Sequence, residues 1–206
     1  MRLRSLDVIR NPARIIVAAY STLIAVGAIL LRLPVATREH HMDVTDALFM
    51  STSASTITGL SSVDHATFTV FGEIVIIVLV QIGGFGIMTI GSMLALFTAR
   101  HLGLRQRMLT MKEMGADDPG QVRMLLTGIA KMTVAIESML AVILFVAFWA
   151  DGDESVGRAL YNGIFHSISA FNNAGFSTYS GGLTRFVGNP FVILPISFGF
   201  ILGGLG

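Results

Sequence analysis

The chain has 206 residues, of which 53% are hydrophobic and 13% charged, with 14 Lys+Arg against 13 Asp+Glu. Soluble domains of this size carry about 25% charged residues, so an ordinary water-soluble globule and a disordered chain are both excluded. The near-zero balance gives no reason to expect nucleic acid as a partner. With no cysteine, disulfide and thiolate chemistry are excluded too.

Charges divide the chain into segments. Ile15–Leu31, Ile74–Ala99 and Phe186–Gly206 carry none, and Met132–Ala150 carries only Glu137. A hydrocarbon core about 30 Å thick needs roughly 20 apolar helical residues, so each segment is long enough to span it. The first could be read as a signal peptide, but Leu31-Arg32-Leu33-Pro34 offers no small-residue cleavage site. It is read as a retained helix.

Two further uncharged segments, Ala47–Val63 and Ala159–Thr184, are rich in Ser, Thr and Asn, too polar to face lipid. Basic residues cluster before the first span (Arg2, Arg4, Arg10, Arg14) and between the second and third (Arg100, Arg105, Arg107, Lys112, Arg123). Placing both clusters in the cytoplasm requires an even number of crossings between them. The polar segment Ala47–Val63 must therefore enter and leave by one face, as a re-entrant hairpin. The N-terminus is then cytoplasmic.

The chain repeats itself. Asp46–Ser61 (DALFMSTSASTITGLS) aligns with Asn162–Ser177 (NGIFHSISAFNNAGFS) at an offset of 116, with identities that include Ser53/Ser169, Ala54/Ala170 and Gly59/Gly175. Ile82–Gly86 matches Leu202–Gly206 at an offset of 120. The predicted fold is an all-α membrane protein made of two tandem helix–pore hairpin–helix units. Unit one is 1–97, with spans at about 15–31 and 74–97 and a hairpin at 43–63. A cytoplasmic loop covers 98–121. Unit two is 122–206, with spans at about 132–150 and 186–206 and a hairpin at 155–178. The last span is expected to be cut short, because Gly206 matches a residue in the middle of its counterpart.

Each hairpin is expected to descend as a short helix, capped by Asp43 in unit one and by Ser155 or Asp153 in unit two. Its partly negative C-terminal end would reach mid-membrane. The ascending limbs, Thr56-Ile57-Thr58-Gly59-Leu60 and Asn172-Asn173-Ala174-Gly175-Phe176, are expected to be extended. Non-helical backbone at that depth must line a water-filled path or be buried in protein. Carbonyls lining such a path form a site for a dehydrated monovalent cation. No carboxylate lies in these loops, which disfavours a divalent ion. Glycine alone could merely permit tight packing, but its recurrence at matched positions favours the ion site.

Hairpins ending in TITGL and NNAGF, each followed by a span with IGGFG or LGGLG, resemble the Trk/Ktr/HKT superfamily of potassium and sodium transporters. The short N-terminus looks more like the Ktr membrane subunit than like Trk proteins, which carry two extra leading helices. The resemblance implies a K⁺-channel-like pore of four M1-P-M2 units, of which this chain matches the first two. By the same resemblance Thr56, Ile57, Thr58 and Gly59 form the first filter strand, and Asn172, Asn173, Ala174 and Gly175 the second. It also implies monovalent cation uptake at the plasma membrane, K⁺ or Na⁺ as cargo with no bound cofactor, a homodimer, and a cytoplasmic nucleotide-binding regulatory ring. A non-conducting scaffold subunit is the alternative from another class. An enzyme is not expected, since no nucleophile–base pair or paired carboxylates fall at membrane depth.

Other residues receive structural readings. Gly83, Gly84 and Gly86 should permit close helix approach. Glu137, about one and a half turns from Lys131, is expected to be paired or near the interface. Glu73 is expected to be solvated. His166 is expected to be packed and hydrogen-bonded. His40-His41 has too few partners to make a metal site. The 98–121 loop is either an ordinary basic loop or a contact surface for the ring.

Overall fold

The computed structural model describes residues 12–38, 41–99 and 119–205. The basic residues before Pro12, His40 and most of the 98–121 loop lie outside them. The described residues form six α-helices: α1 (Pro12–Leu31), α2 (Val44–Ser55), α3 (Val70–Ala99), α4 (Pro119–Ala150), α5 (Val156–Phe171) and α6 (Pro190–Leu205). Single 3₁₀ turns at His65–Thr67 and Thr184–Phe186 precede α3 and α6. No strand forms among the described residues; a lone bridge joins Thr37 to Phe68.

Helices α1, α3 and α4 are long and apolar enough to cross a membrane, over Arg14–Leu31, Val70–Thr89 and Leu126–Ala150. Helix α4 starts at Pro119, well before the predicted 132. Lys131 does not end it, because a helix can continue out of hydrocarbon with charged residues on its surface. Helix α6 covers 16 residues, with Pro195 inside it, so it is shorter than the predicted 186–206 span.

Polarity is not distributed as in a water-soluble protein. Large apolar side chains are exposed along the long helices: Val17, Ile29, Val134, Val142 and Leu194 are each at least 60% exposed. Ser51, Ser53, Ser55, Asn162, His166, Ser167, Ser169 and Asn172 are buried. Hydrocarbon as the surrounding solvent accounts for both facts, since lipid accepts apolar side chains and cannot satisfy polar ones.

Each short helix lies between the long ones. Leu31, Met50, Phe68, Ile76 and Val80 form a core linking α1, α2 and α3. Leu144, Phe148, Ala159, Phe186, Val192 and Ile196 form a second linking α4, α5 and α6. The first core also takes in Phe165, Ala174 and Phe176, so the two halves share packing. Each half is closed at the end where its short helix starts. After α1, Arg38 N–H donates to Thr67 O and Thr69 N–H to Ala36 O. After α4, Arg185 pairs with Asp153 at 2.9 Å.

Candidate functional site

The site is built from the ends of α2 and α5. Asp43 occupies the N-cap of α2 with extended backbone but makes no side-chain cap bond. Ser155 caps α5, its hydroxyl accepting from Arg158 N–H at 3.4 Å. Both helices then close in one way. Ile57 N–H donates to Ala54 O and Thr58 N–H to Ser53 O; Asn173 N–H donates to Ala170 O and Ala174 N–H to Ser169 O. This crossed pair of bonds is the Schellman closure, which needs a left-handed residue at its pivot. The pivots are Ile57 at φ 50° and Asn173 at φ 56°. Asn adopts this region readily, whereas a β-branched residue there is an outlier held by its surroundings.

The ascending limbs are therefore not extended from their first residue. Thr56-Ile57 and Asn172-Asn173 complete the helix-closing turns, and irregular backbone begins at Thr58 and Ala174. The expectation of a strand missed this because apolar Ile57 carries no turn signal. Gly59 and Gly175 follow at φ 79° and 72°, conformations glycine adopts without strain.

Side chains fix each limb to its own helix. Ser53 Oγ donates to Leu60 O at 2.6 Å, and Ser169 Oγ to Phe176 O at 2.7 Å. The identity of these serines was visible in the repeat, but their role as braces was not. Thr56 Oγ1 bonds Thr52 O and Thr58 Oγ1. The repeated geometry extends to the helices that follow. A Cβ on Gly83 would collide with Ser55 O, and one on Gly203 with Phe171 O. Each glycine thus seats the last-turn carbonyl of the short helix before it. Gly84 lies against Asn172 and Gly86 against Tyr20, as expected for close helix approach.

The two limbs approach each other where a Cβ on Gly59 would strike Ala174 O.

Three side-chain expectations can be compared with the geometry. His166 is buried, with Nδ1 at 2.8 Å from Asn162 O and Nε2 at 3.0 Å from Ser177 Oγ, as expected. Glu73 is not solvated. It is 3% exposed, accepts from Tyr161 Oη at 2.6 Å and lies 3.9 Å from Arg158. Glu137 bonds Gln81 and Asn172. In both cases the partners come from distant helices, and no local sequence pattern announces them. Among the described residues no group of three or more His, Asp or Glu could hold a metal ion.

The family model for TrkH, described as "Cation transport protein", matches residues 6–206. The chain belongs to this family of cation transport proteins. The Ktr system potassium uptake protein B of Bacillus subtilis is 40% identical over 197 residues, covering 95% of this chain and 44% of that protein. The protein of the same name from Vibrio alginolyticus is 37% identical over 194 residues, covering 94% and 42%. The potassium/sodium uptake protein NtpJ of Enterococcus hirae is 32% identical over 203 residues, covering 95% and 44%. The chain thus spans less than half the length of these relatives.

Proposed function

We propose that this chain is the N-terminal half of a Ktr/Trk-type transporter that takes up K⁺ across the plasma membrane. In this reading α1–α2–α3 and α4–α5–α6 are two M1-P-M2 units with the N-terminus in the cytoplasm. Thr56, Ile57, Thr58 and Gly59 supply one filter strand, and Asn172, Asn173, Ala174 and Gly175 the other. Their backbone carbonyls replace the water around a monovalent ion, and the negative ends of α2 and α5 add to its stabilisation.

The observation that carries this reading is the recurrence of one device 116 positions apart. Each copy has a left-handed pivot, a positive-φ glycine and a serine brace. Helix closure accounts for the left-handed pivot, but not for a positive-φ glycine and a serine brace at matched positions in both copies. A device that fixes carbonyl positions within a polar interior suits an ion path. The family match and the uptake proteins named above support the cargo class. The potassium/sodium name of one relative keeps Na⁺ as a second candidate cargo. A homodimer and a cytoplasmic nucleotide-binding ring complete the proposed assembly. The "system" in the relatives' names suits a protein with further components.

The test is uptake by the full-length protein in a cell that lacks its own potassium transporters. Restored growth at low K⁺ is expected. Gly59→Ser should abolish Rb⁺ flux or change ion preference while the protein still reaches the membrane. Unchanged flux and preference would remove the filter assignment, and failure of the unaltered protein to restore growth would favour a non-conducting scaffold.

A further inference from the structure

Glu137 is buried on a membrane-spanning helix, at 8% exposed, and the proposed conduction path makes no use of it. Leaving a carboxylate there is costly unless its oxygens are satisfied. They are satisfied by two amides. Asn172 Nδ2 donates to Oε1 at 3.1 Å and Gln81 Nε2 to Oε2 at 3.3 Å. Asn172 Nδ2 also lies 3.1 Å from Gln81 Oε1 and 3.0 Å from Ile168 O, so its two hydrogens are shared among three acceptors. A closed triangle therefore joins α3, α4 and the end of α5. Asn172 Oδ1 is turned the other way, against Gly84.

The corresponding position in the first unit is Thr56, whose hydroxyl, among the described residues, bonds within its own hairpin. The two limbs are thus held differently. The first is anchored to itself, and the second to two long helices through Asn172.

We propose that Glu137 is a positioning residue for the second limb: by holding the Asn172 amide it fixes Asn172–Gly175 and so sets which monovalent cation fits. This rests on the filter reading above. The chemistry calls for a carboxylate. Two amide N–H₂ groups converge on residue 137, and a carboxylate offers two acceptors and no donor. With glutamine at 137 a third N–H₂ enters the triangle, and while Asn172 Nδ2 keeps its bond to Ile168 O, two donors face each other in either orientation of the other two amides. Exchanging the two side chains, Gln81→Glu with Glu137→Gln, restores one carboxylate and two amides, so every bond can be remade with the roles reversed.

The experiment uses the full-length protein in the uptake-deficient cell. It measures the K⁺/Na⁺ preference and the half-saturating Rb⁺ concentration, with protein in the membrane fraction quantified alongside. E137Q should lower the preference by about fivefold or more, as for one buried hydrogen bond left unmade. Q81E/E137Q should return it to within about twofold of the unaltered protein. A wild-type preference in E137Q, or an exchange variant no better than E137Q, overturns the proposal. If E137Q fails to accumulate, the exchange variant decides: accumulation with normal preference supports the triangle, and accumulation with altered preference refutes it. G59S run in parallel separates the two readings, since a filter that is not at Gly59 leaves that variant unchanged whatever Glu137 does.

Discussion

Asp64 and Ser180 stand 116 positions apart, the spacing of the internal repeat, and the Ser180 hydroxyl donates to Asp64 Oδ2 at 2.6 Å. The two units thus meet just beyond their ascending limbs. The Ser180 hydroxyl, and after it the Ala66 N–H, hold the Asp64 carboxyl below its ordinary value. A carboxylate with a lowered folded-state pKa adds stability above its unfolded value of about 3.9 and loses it as pH falls through the folded one. Ser180→Ala should therefore lower the apparent Tm in detergent at neutral pH, and the gap to the unaltered protein should narrow below about pH 4. A gap that stays constant across that range would show that Asp64 is not the group involved.

His65 follows Asp64 in the chain and sets its ring edge against Phe176, with centroids 5.3 Å apart. Partial burial pushes its pKa below the ordinary value, and the neighbouring Asp64 opposes that shift. Below about pH 6.5 the unfolded chain takes up a proton that the folded protein resists, so the folded state loses stability as pH falls. His65→Phe should flatten the decline of Tm between about pH 6.5 and 5 while leaving Tm at pH 8 close to its original value. An unaltered slope in this variant would place the titration elsewhere.

What the sequence disclosed and what it hid divide along a physical line. Spans α1, α3 and α4 were legible because lipid imposes a long uncharged run, and the repeat exposed both short helices. Helix ends were less legible: α4 runs back to Pro119 because nothing in water stops it at the membrane surface. The helix-closing turns were hidden at Ile57, where the backbone overrides what a β-branched residue prefers. Buried acids were the hardest to read. Glu73 takes its bond from Tyr161 and Glu137 from Gln81 and Asn172, and those partners become neighbours only when the helices pack. The proposed site residues could be located through the repeat and the resemblance, but their supports could not.

The serine braces give a prediction that uses the repeat as its own control. Ser53 and Ser169 are both buried, and each satisfies a carbonyl of the limb leaving its helix. Removing either hydroxyl leaves a limb carbonyl without its partner, at a cost of about 1–3 kcal/mol at buried Phe176 and less at Leu60, which is exposed. Ser169→Ala should lower Tm more than Ser53→Ala, and the double variant should show their sum unless the limbs are coupled. Coupling is the informative result here, because Gly59 already touches Ala174 O across the units. A thermal-shift series on the four proteins measures it directly. A loss in Ser53→Ala as large as that in Ser169→Ala would mean that exposure of the carbonyl does not set the cost.

Gly59 and Gly175 are matched in sequence and in backbone conformation, yet their surroundings differ. A Cβ on Gly59 runs into the Ala174 carbonyl, while one on Gly175 meets nothing within 4 Å. Alanine at either position carries the left-handed penalty of about 1–2 kcal/mol. Only at 59 must the facing backbone also move. Gly175→Ala should therefore cost close to that penalty alone, and Gly59→Ala distinctly more. Under the filter reading Gly59→Ala should also depress Rb⁺ flux the further of the two, since the group it displaces is a carbonyl of the other strand. Tm and flux on the two variants side by side supply the comparison. Equal losses in both measurements would show that the approach of Gly59 to Ala174 does not exist in the full-length protein, whatever the strain at the two glycines.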